Sequence, residues 1–131
     1  MTKRPKIIQA TEAMLKKDLS DILAVALKAV HEGCVDGIYG IPRGGLPLAV
    51  LLSNRLSLPL LMAPTKQCIV VDDIFDTGVL GRVLVDKYCT GGKSKLIVWW
   101  INEDRATECR ENQIYYCRTK KAKDWVKFFW E

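Results

Sequence analysis

At 131 residues the chain is long enough for one hydrophobic core and too short for two. Its 49% hydrophobic and 27% charged residues are those of an ordinary globular protein, and no apolar run approaches the length of a membrane-spanning helix. The formal charge of +5 suits phosphorylated ligands but is shared by many proteins without them.

The charged start, Met1-Thr2-Lys3-Arg4-Pro5, has no apolar stretch behind it, so a secretory signal is not expected and a cytoplasmic location is. Thr11 is a suitable N-cap, and Leu15, Leu19, Ile22, Ala26 and Val30 follow at helical spacing toward a stop near Gly33. His31, the only histidine, sits at the end of this helix, where a partly exposed helix-end residue is the simplest account. Val35 to Ile41 predicts a short buried strand, stopped by Pro42 and the pair Gly44-Gly45. Leu46 to Leu56 is apolar with a helical period. Leu58 to Met62 and Cys68 to Val71 predict two strands, joined tightly through Pro64-Thr65-Lys66-Gln67. Gly78 to Tyr88 predicts a helix with Val79, Val83 and Leu84 inward, ended by Gly91-Gly92. Leu96 to Ile101 is the clearest buried strand, with Trp99 and Trp100 as packing residues, and Ile114 to Cys117 is a weaker strand. Strands alternating with helices predict one α/β domain over residues 1–131, a mostly parallel twisted sheet with helices on both faces. The five cysteines, Cys34, Cys68, Cys89, Cys109 and Cys117, are scattered, odd in number and form no CxxC, which argues against a disulfide framework and a zinc site.

The chemistry is concentrated in Ile69-Val70-Val71-Asp72-Asp73-Ile74-Phe75-Asp76-Thr77-Gly78. A buried strand leads to the adjacent carboxylates Asp72 and Asp73 at its end, then to Asp76, and Thr77-Gly78 opens a helix. Ligands of parallel sheets gather at the carboxyl ends of the strands. A helix beginning there aims free N–H groups and its positive dipole end at them, which makes a phosphate site. Gly78 permits close approach of backbone to ligand, and the Thr77 hydroxyl adds a donor. Three carboxylates beside a phosphate would repel it unless they face sugar hydroxyls or a metal. Asp72 and Asp73 are therefore read as acceptors for a ribose diol or as magnesium ligands, mostly through water. A solvated acidic turn that caps the helix explains a bare Asp-Asp pair, but not the whole pattern.

The stretch VVDDIFDTG resembles the signature for phosphoribosyl pyrophosphate (PRPP) in type I phosphoribosyltransferases. Upstream, Ile41-Pro42-Arg43-Gly44-Gly45-Leu46-Pro47-Leu48-Ala49 resembles the pyrophosphate loop of the same family. The ending Asp124-Trp125-Val126-Lys127-Phe128-Phe129-Trp130-Glu131 is similar to the base-binding hood of bacterial xanthine-guanine phosphoribosyltransferases, and the similarity covers most of the chain. The resemblance implies a hood formed by residues 103–131 with the N-terminal segment, and a homodimer. It implies magnesium-dependent transfer of a phosphoribosyl group from PRPP to a purine base of the guanine, xanthine or hypoxanthine class, releasing pyrophosphate. Arg43, Gly44 and Gly45 would hold the pyrophosphate, with a cis peptide bond at Pro42–Arg43. Arg43 and Asp76 would be the catalytic pair, Asp76 as general base or hydrogen-bond partner for the imidazole ring of the purine. Thr77, Gly78, Val79, Leu80 and Gly81 would surround the 5′-phosphate. Asn102, Trp125 and Val126 would meet the base, Trp125 by stacking and Val126 through its backbone. Mg2+ would sit at Asp72 and Asp73, with Glu131 a further candidate ligand.

Three departures from the family pattern bear on activity. The long flexible lid between the two motifs is missing from the interval Leu58 to Cys68, which would leave PRPP less protected from water. Leu80 stands where the 5′-phosphate loop commonly has Thr or Ser, and Asn102 where purine enzymes carry a lysine. The missing lid supports a second reading, a binding or regulatory protein that keeps a PRPP or nucleotide pocket but turns over weakly. A third reading, RNA binding, draws on the basic run Arg118-Thr119-Lys120-Lys121-Ala122-Lys123 ahead of Trp125, for which a solvated loop is the simpler account. Thr90-Gly91-Gly92-Lys93-Ser94 lacks the first glycine and the strand-to-helix setting of a P-loop. Phe129 and Trp130 are read as burying against a partner subunit.

Overall fold

The structure, a computed structural model, describes residues 4–33, 35–76, 83, 86–87, 94–109 and 114–131. Its elements run β1 (Ile7–Ala10), α1 (Glu12–Glu32), β2 (Ile38–Gly40), α2 (Leu46–Leu56), β3 (Ile69–Phe75), β4 (Lys95–Asn102), a 3-10 helix (Glu103–Cys109), β5 (Ile114–Lys120) and β6 (Trp125–Phe128). The helix expected from Gly78 to Tyr88 falls on residues that lie, apart from Val83, Asp86 and Lys87, outside the described ones.

Helix α1 starts where the sequence places it. The Thr11 hydroxyl accepts from the Met14 N–H at 3.2 Å, and the Met14 sulfur accepts from the Thr11 N–H at 3.5 Å, closing a capping box. Leu15, Leu19, Ile22, Ala26 and Ala29 then form one buried stripe. Helix α2 opens with Pro47 in its first turn and buries Leu48, Ala49 and Leu52.

The four strands β2-β3-β4-β5 pair in that order, all parallel. In the first part of β3 and β4 the side chains alternate between two cores. Ile69, Val71, Ile97 and Trp99 pack with α1 and α2, while Val70, Leu96 and Val98 join Cys68, Ile101 and Ile114 on the other face. Burial on both faces explains why these strands read as unbroken apolar runs. Each fully buried Ile or Leu there contributes roughly 1.5–3 kcal/mol. Asp18 ties α1 to this sheet, accepting from Trp99 Nε1 at 2.8 Å and from Arg118 Nε at 2.5 Å. Burial works against ionisation of Asp18, but the hydrogen bonds from Arg118 and Trp99 outweigh it and hold the carboxyl below its ordinary range.

A second, two-stranded parallel sheet joins β1 to β6, from Ile7 opposite Trp125 to Ala10 opposite Phe128. Its floor is aromatic: Phe128 stacks on Trp130 at 5.1 Å between centroids, and Trp99 lies 5.8 Å from each of them.

Several sequence expectations are corrected. The strand expected over Leu58 to Met62 reduces to one bridge, Leu60 opposite Ile38, because Pro59 has no N–H to donate and Met62 projects into solvent. The strand expected over Val35 to Ile41 contracts to Ile38–Gly40. Strand β3 runs past Val71 to Phe75, so Asp72 and Asp73 lie within a strand rather than after it. Beyond Val71 only β4 accompanies it, since the β2 pairing ends at Gly40 opposite Val71. Strand β5 continues to Lys120, and β1 and β6 were not foreseen as strands. No helix of the described residues is long and apolar enough to cross a membrane.

Candidate functional site

The site forms where β2 stops and β3 continues. Beyond Gly40 the chain turns away: the Ile41 N–H donates to the Val71 carbonyl at 2.8 Å, and the Gly45 N–H returns to the Ile41 carbonyl at 2.9 Å. The Pro42–Arg43 peptide bond is cis. Two glycines let this loop lie against β3. A Cβ on Gly45 would overlap the Val71 carbonyl, and one on Gly44 would overlap the Asp73 carboxylate. Gly45 caps α2 without any side-chain hydrogen bond; the Leu46 N–H donates to the Arg43 carbonyl at 3.2 Å and Pro47 has none to give, so neither serves a ligand. A cleft of about 560 Å³ opens here, lined by Arg43, Gly44 and Pro47 on one side, Asp73 on another, and Trp130 and Glu131 from the C-terminus.

The acidic pair is held by its own backbone. Asp72 Oδ1 accepts from the Asp73 N–H at 2.8 Å, and Asp73 Oδ1 from the Ile74 N–H at 2.7 Å. Burial, followed by the hydrogen bond and negative charge of Asp73, pushes the Asp72 carboxyl up to about 9. Two carboxylates in this position favour either a proton or a cation between them. Among the described residues no group of three or more metal-ligating side chains converges, so there is no all-protein cage. Magnesium that arrives on ligand phosphates needs only one or two carboxylates, and the Asp72-Asp73 pair fits that demand.

Strands β3, β4 and β5 end side by side and bring Asp76, Asn102 and Lys120 together. Asn102 and Lys120 are register partners. Lys120 Nζ lies 2.8 Å from Asp76 Oδ1, and Asn102 Nδ2 donates to the same oxygen at 3.2 Å. Lys120 is only 4% exposed and Asn102 6%. The basic run over 118–123 is thus not one surface: Lys121 and Lys123 are exposed, while Lys120 turns inward to Asp76 and Arg118 to Asp18. Sequence reasoning missed Lys120 as a site residue, because nothing in a run of lysines distinguishes the one that is buried.

Trp125 begins β6 with 62% of its surface exposed, and Val126 beside it is buried. The candidate residues Thr77, Gly78, Val79, Leu80 and Gly81 lie outside the described residues. The structure brings the others into two neighbourhoods. Arg43, Gly44, Asp73 and Glu131 share the cleft, and Asp76 with Asn102 lies at the strand ends that lead to Trp125.

No protein-family model matches the sequence, and a search of curated proteins finds no match. Solved structures do match. The purine phosphoribosyltransferase of Pyrococcus horikoshii superposes with a TM-score of 0.69 at 21% identity, over 96% of this chain and 94% of that one. The fold is that of the type I phosphoribosyltransferases. The xanthine-guanine-hypoxanthine phosphoribosyltransferase of Helicobacter pylori gives 0.64 at 19% identity, over 97% and 93%. A hypothetical protein of Neisseria gonorrhoeae with bound ppGpp gives 0.67 at 17% identity, over 99% and 92%.

Within this phosphoribosyltransferase fold the interval between α2 and β3 is a short packed connection. The Ile38 N–H donates to the Pro59 carbonyl at 2.9 Å and the Leu61 N–H to the Ile38 carbonyl at 2.7 Å. Further on, the Asp36 N–H donates to the Gln67 carbonyl at 2.7 Å, and the Ser94 hydroxyl to the Thr65 carbonyl at 2.7 Å. With its backbone engaged on either side of the exposed Met62, the interval has no long loop to fold over the site.

Proposed function

We propose that this protein transfers the phosphoribosyl group of PRPP to a purine base of the guanine, xanthine or hypoxanthine class and releases pyrophosphate. The observation that carries the reading is the contact of two motifs at the carboxyl end of a parallel sheet. The Arg43-Gly44-Gly45 loop lies directly on Asp73. Together they offer a cation, backbone N–H groups and paired carboxylates to one small volume, which matches a ligand with a pyrophosphate beside a ribose diol.

In this reading the Arg43 guanidinium and the Gly44 N–H bind the pyrophosphate and stabilise the negative charge that grows on it as it leaves, while the Gly45 N–H is committed to the Ile41 carbonyl. Asp72 and Asp73 accept from the ribose hydroxyls and fix the sugar for an oxocarbenium-like transition state, so catalysis is mainly positioning. Magnesium arriving on PRPP would neutralise charge on the leaving pyrophosphate. Asp73 and Glu131 face the cleft where that ion would arrive. Asp76 accepts a proton or hydrogen bond from the imidazole ring of the base, Trp125 stacks on it, and Val126 meets its edge through the backbone. Asn102, which both donates and accepts, reads the base where a lysine would only donate. Thr77 to Gly81 complete the 5′-phosphate site. The free thiols of Cys68 and Cys117 suit a reducing cytoplasm. Of the exposed apolar side chains, Leu46 and Val50 line the ligand cleft, while Phe129 suits a homodimer.

The test is product formation with PRPP, magnesium and each of guanine, xanthine, hypoxanthine and adenine. Nucleotide that disappears in Asp76→Asn supports the reading. A second reading, a nucleotide-binding regulator, is favoured by one specific observation, the short packed connection in place of a lid. The bound ppGpp of the Neisseria gonorrhoeae protein is in keeping with it. No product from any base, alongside calorimetric binding of PRPP or a nucleotide, decides for that reading.

A further inference from the structure

Among the described residues Lys120 is the only buried cationic side chain. A buried ammonium is costly unless each of its protons has an acceptor. Lys120 meets that condition by reaching in two directions. One proton goes to Asp76 Oδ1 at 2.8 Å, at the end of β3. The others go to the Asp124 carbonyl at 2.7 Å and, more weakly, to the Ala122 carbonyl at 3.4 Å, both in the turn that enters β6. Asp124 immediately precedes Trp125, and its own Oδ1 accepts from the Lys6 N–H at 3.1 Å, which brings the start of β1 into the same cluster. Asn102 approaches Asp76 Oδ1 from the other side.

We infer that Lys120 is a positioning residue for base recognition: one ammonium fixes both the Asp76 carboxylate and the backbone that carries Trp125 and Val126. The inference rests on the proposed function, in which Asp76 and Trp125 face the base. Lys120 does not touch the ligand, because its protons are engaged and its side chain is 2% exposed. It sets the distance between the acceptor at the end of β3 and the stacking platform on β6. The ribose and pyrophosphate groups, held by Asp72, Asp73 and the Arg43 loop, do not pass through it. A lysine that merely clamped the fold would affect both halves of the site alike.

The experiment compares calorimetric affinities for guanosine 5′-monophosphate, which needs both halves, and ribose 5-phosphate, which needs only the sugar side. Both are measured on the parent, Lys120→Met and Lys120→Gln. The glutamine keeps one donor in place if the methionine variant does not fold. The expected result is a loss of about tenfold or more for the nucleotide, with ribose 5-phosphate unchanged to within about threefold. Equal loss for both ligands, unchanged nucleotide affinity in a folded variant, or failure of both variants to fold overturns the inference. A parent that binds neither ligand removes the functional reading itself, and is distinguished by being seen before any substitution.

Discussion

Gly44 touches Asp73 so closely that a single methyl group on the glycine would overlap the carboxylate. The aspartate cannot simply rotate away, since its Oδ1 is held by the Ile74 N–H at 2.7 Å. The two motifs that carry the chemistry are therefore one structural unit, and the loop that would bind pyrophosphate is seated on the acid that would bind the ribose.

Replacing Gly44 with alanine tests that unit. The added Cβ displaces either the loop or Asp73, an overpacking cost of about 1–3 kcal/mol in stability. The larger effect is expected on PRPP, whose affinity falls about tenfold or more because its two ends lose their common geometry. Thermal melts and PRPP calorimetry on Gly44→Ala separate the two. An alanine variant with parental PRPP affinity would show that the loop and Asp73 do not share a ligand.

Both motifs were legible in the sequence because each is local. Proline, arginine and paired glycines after one strand, and acids followed by Thr-Gly after another, declare themselves within a few residues. Helix α1 was legible for the same reason, from the Thr11 cap and a regular apolar stripe. The α/β class followed from the alternation of strands with helices along the chain. What the sequence concealed is non-local. Strands β1 and β6 are four residues each, half exposed, and exist only because the two ends of the chain meet. The extension of β3 through two aspartates is a tertiary effect, since pairing with β4 continues where β2 has ended. Lys120 was hidden among exposed lysines, and only the register that sets it beside Asn102 marks it out.

Asp72 gives the unliganded protein a specific pH dependence. Its carboxyl is raised from an ordinary 3.8 to about 9 by burial and by Asp73. The folded state therefore holds a proton that the unfolded chain releases. The stabilisation is complete below about pH 4 and is lost progressively as pH rises toward 9, by at most about 1.4 kcal/mol per pH unit. In metal-free buffer the melting temperature of the parent should fall between about pH 5 and pH 9. Asp72→Asn, which has no proton to lose, should follow a flatter curve and melt higher at the alkaline end. Parallel curves for the two proteins would place the proton elsewhere.

Trp125 and Trp99 make opposite predictions from the same side chain. Trp99 is fully buried beneath Phe128 and Trp130, whereas Trp125 leaves 62% of its surface in solvent at the start of β6. The strand does not depend on the Trp125 indole: its backbone N–H donates to the Lys6 carbonyl at 2.9 Å, and the β1–β6 register continues from there to Phe128. Trp125→Ala is accordingly expected to change stability by no more than about 0.5 kcal/mol. Stacking on a base is worth about 1–3 kcal/mol, so affinity for guanosine 5′-monophosphate should fall roughly five- to 150-fold. Ribose 5-phosphate, with no base to stack, should bind the variant as it binds the parent, and Trp125→Phe should recover part of the nucleotide affinity. A variant that melts several degrees lower would make Trp125 a packing residue. One that binds the nucleotide normally would move the base to another wall of the site, away from β6.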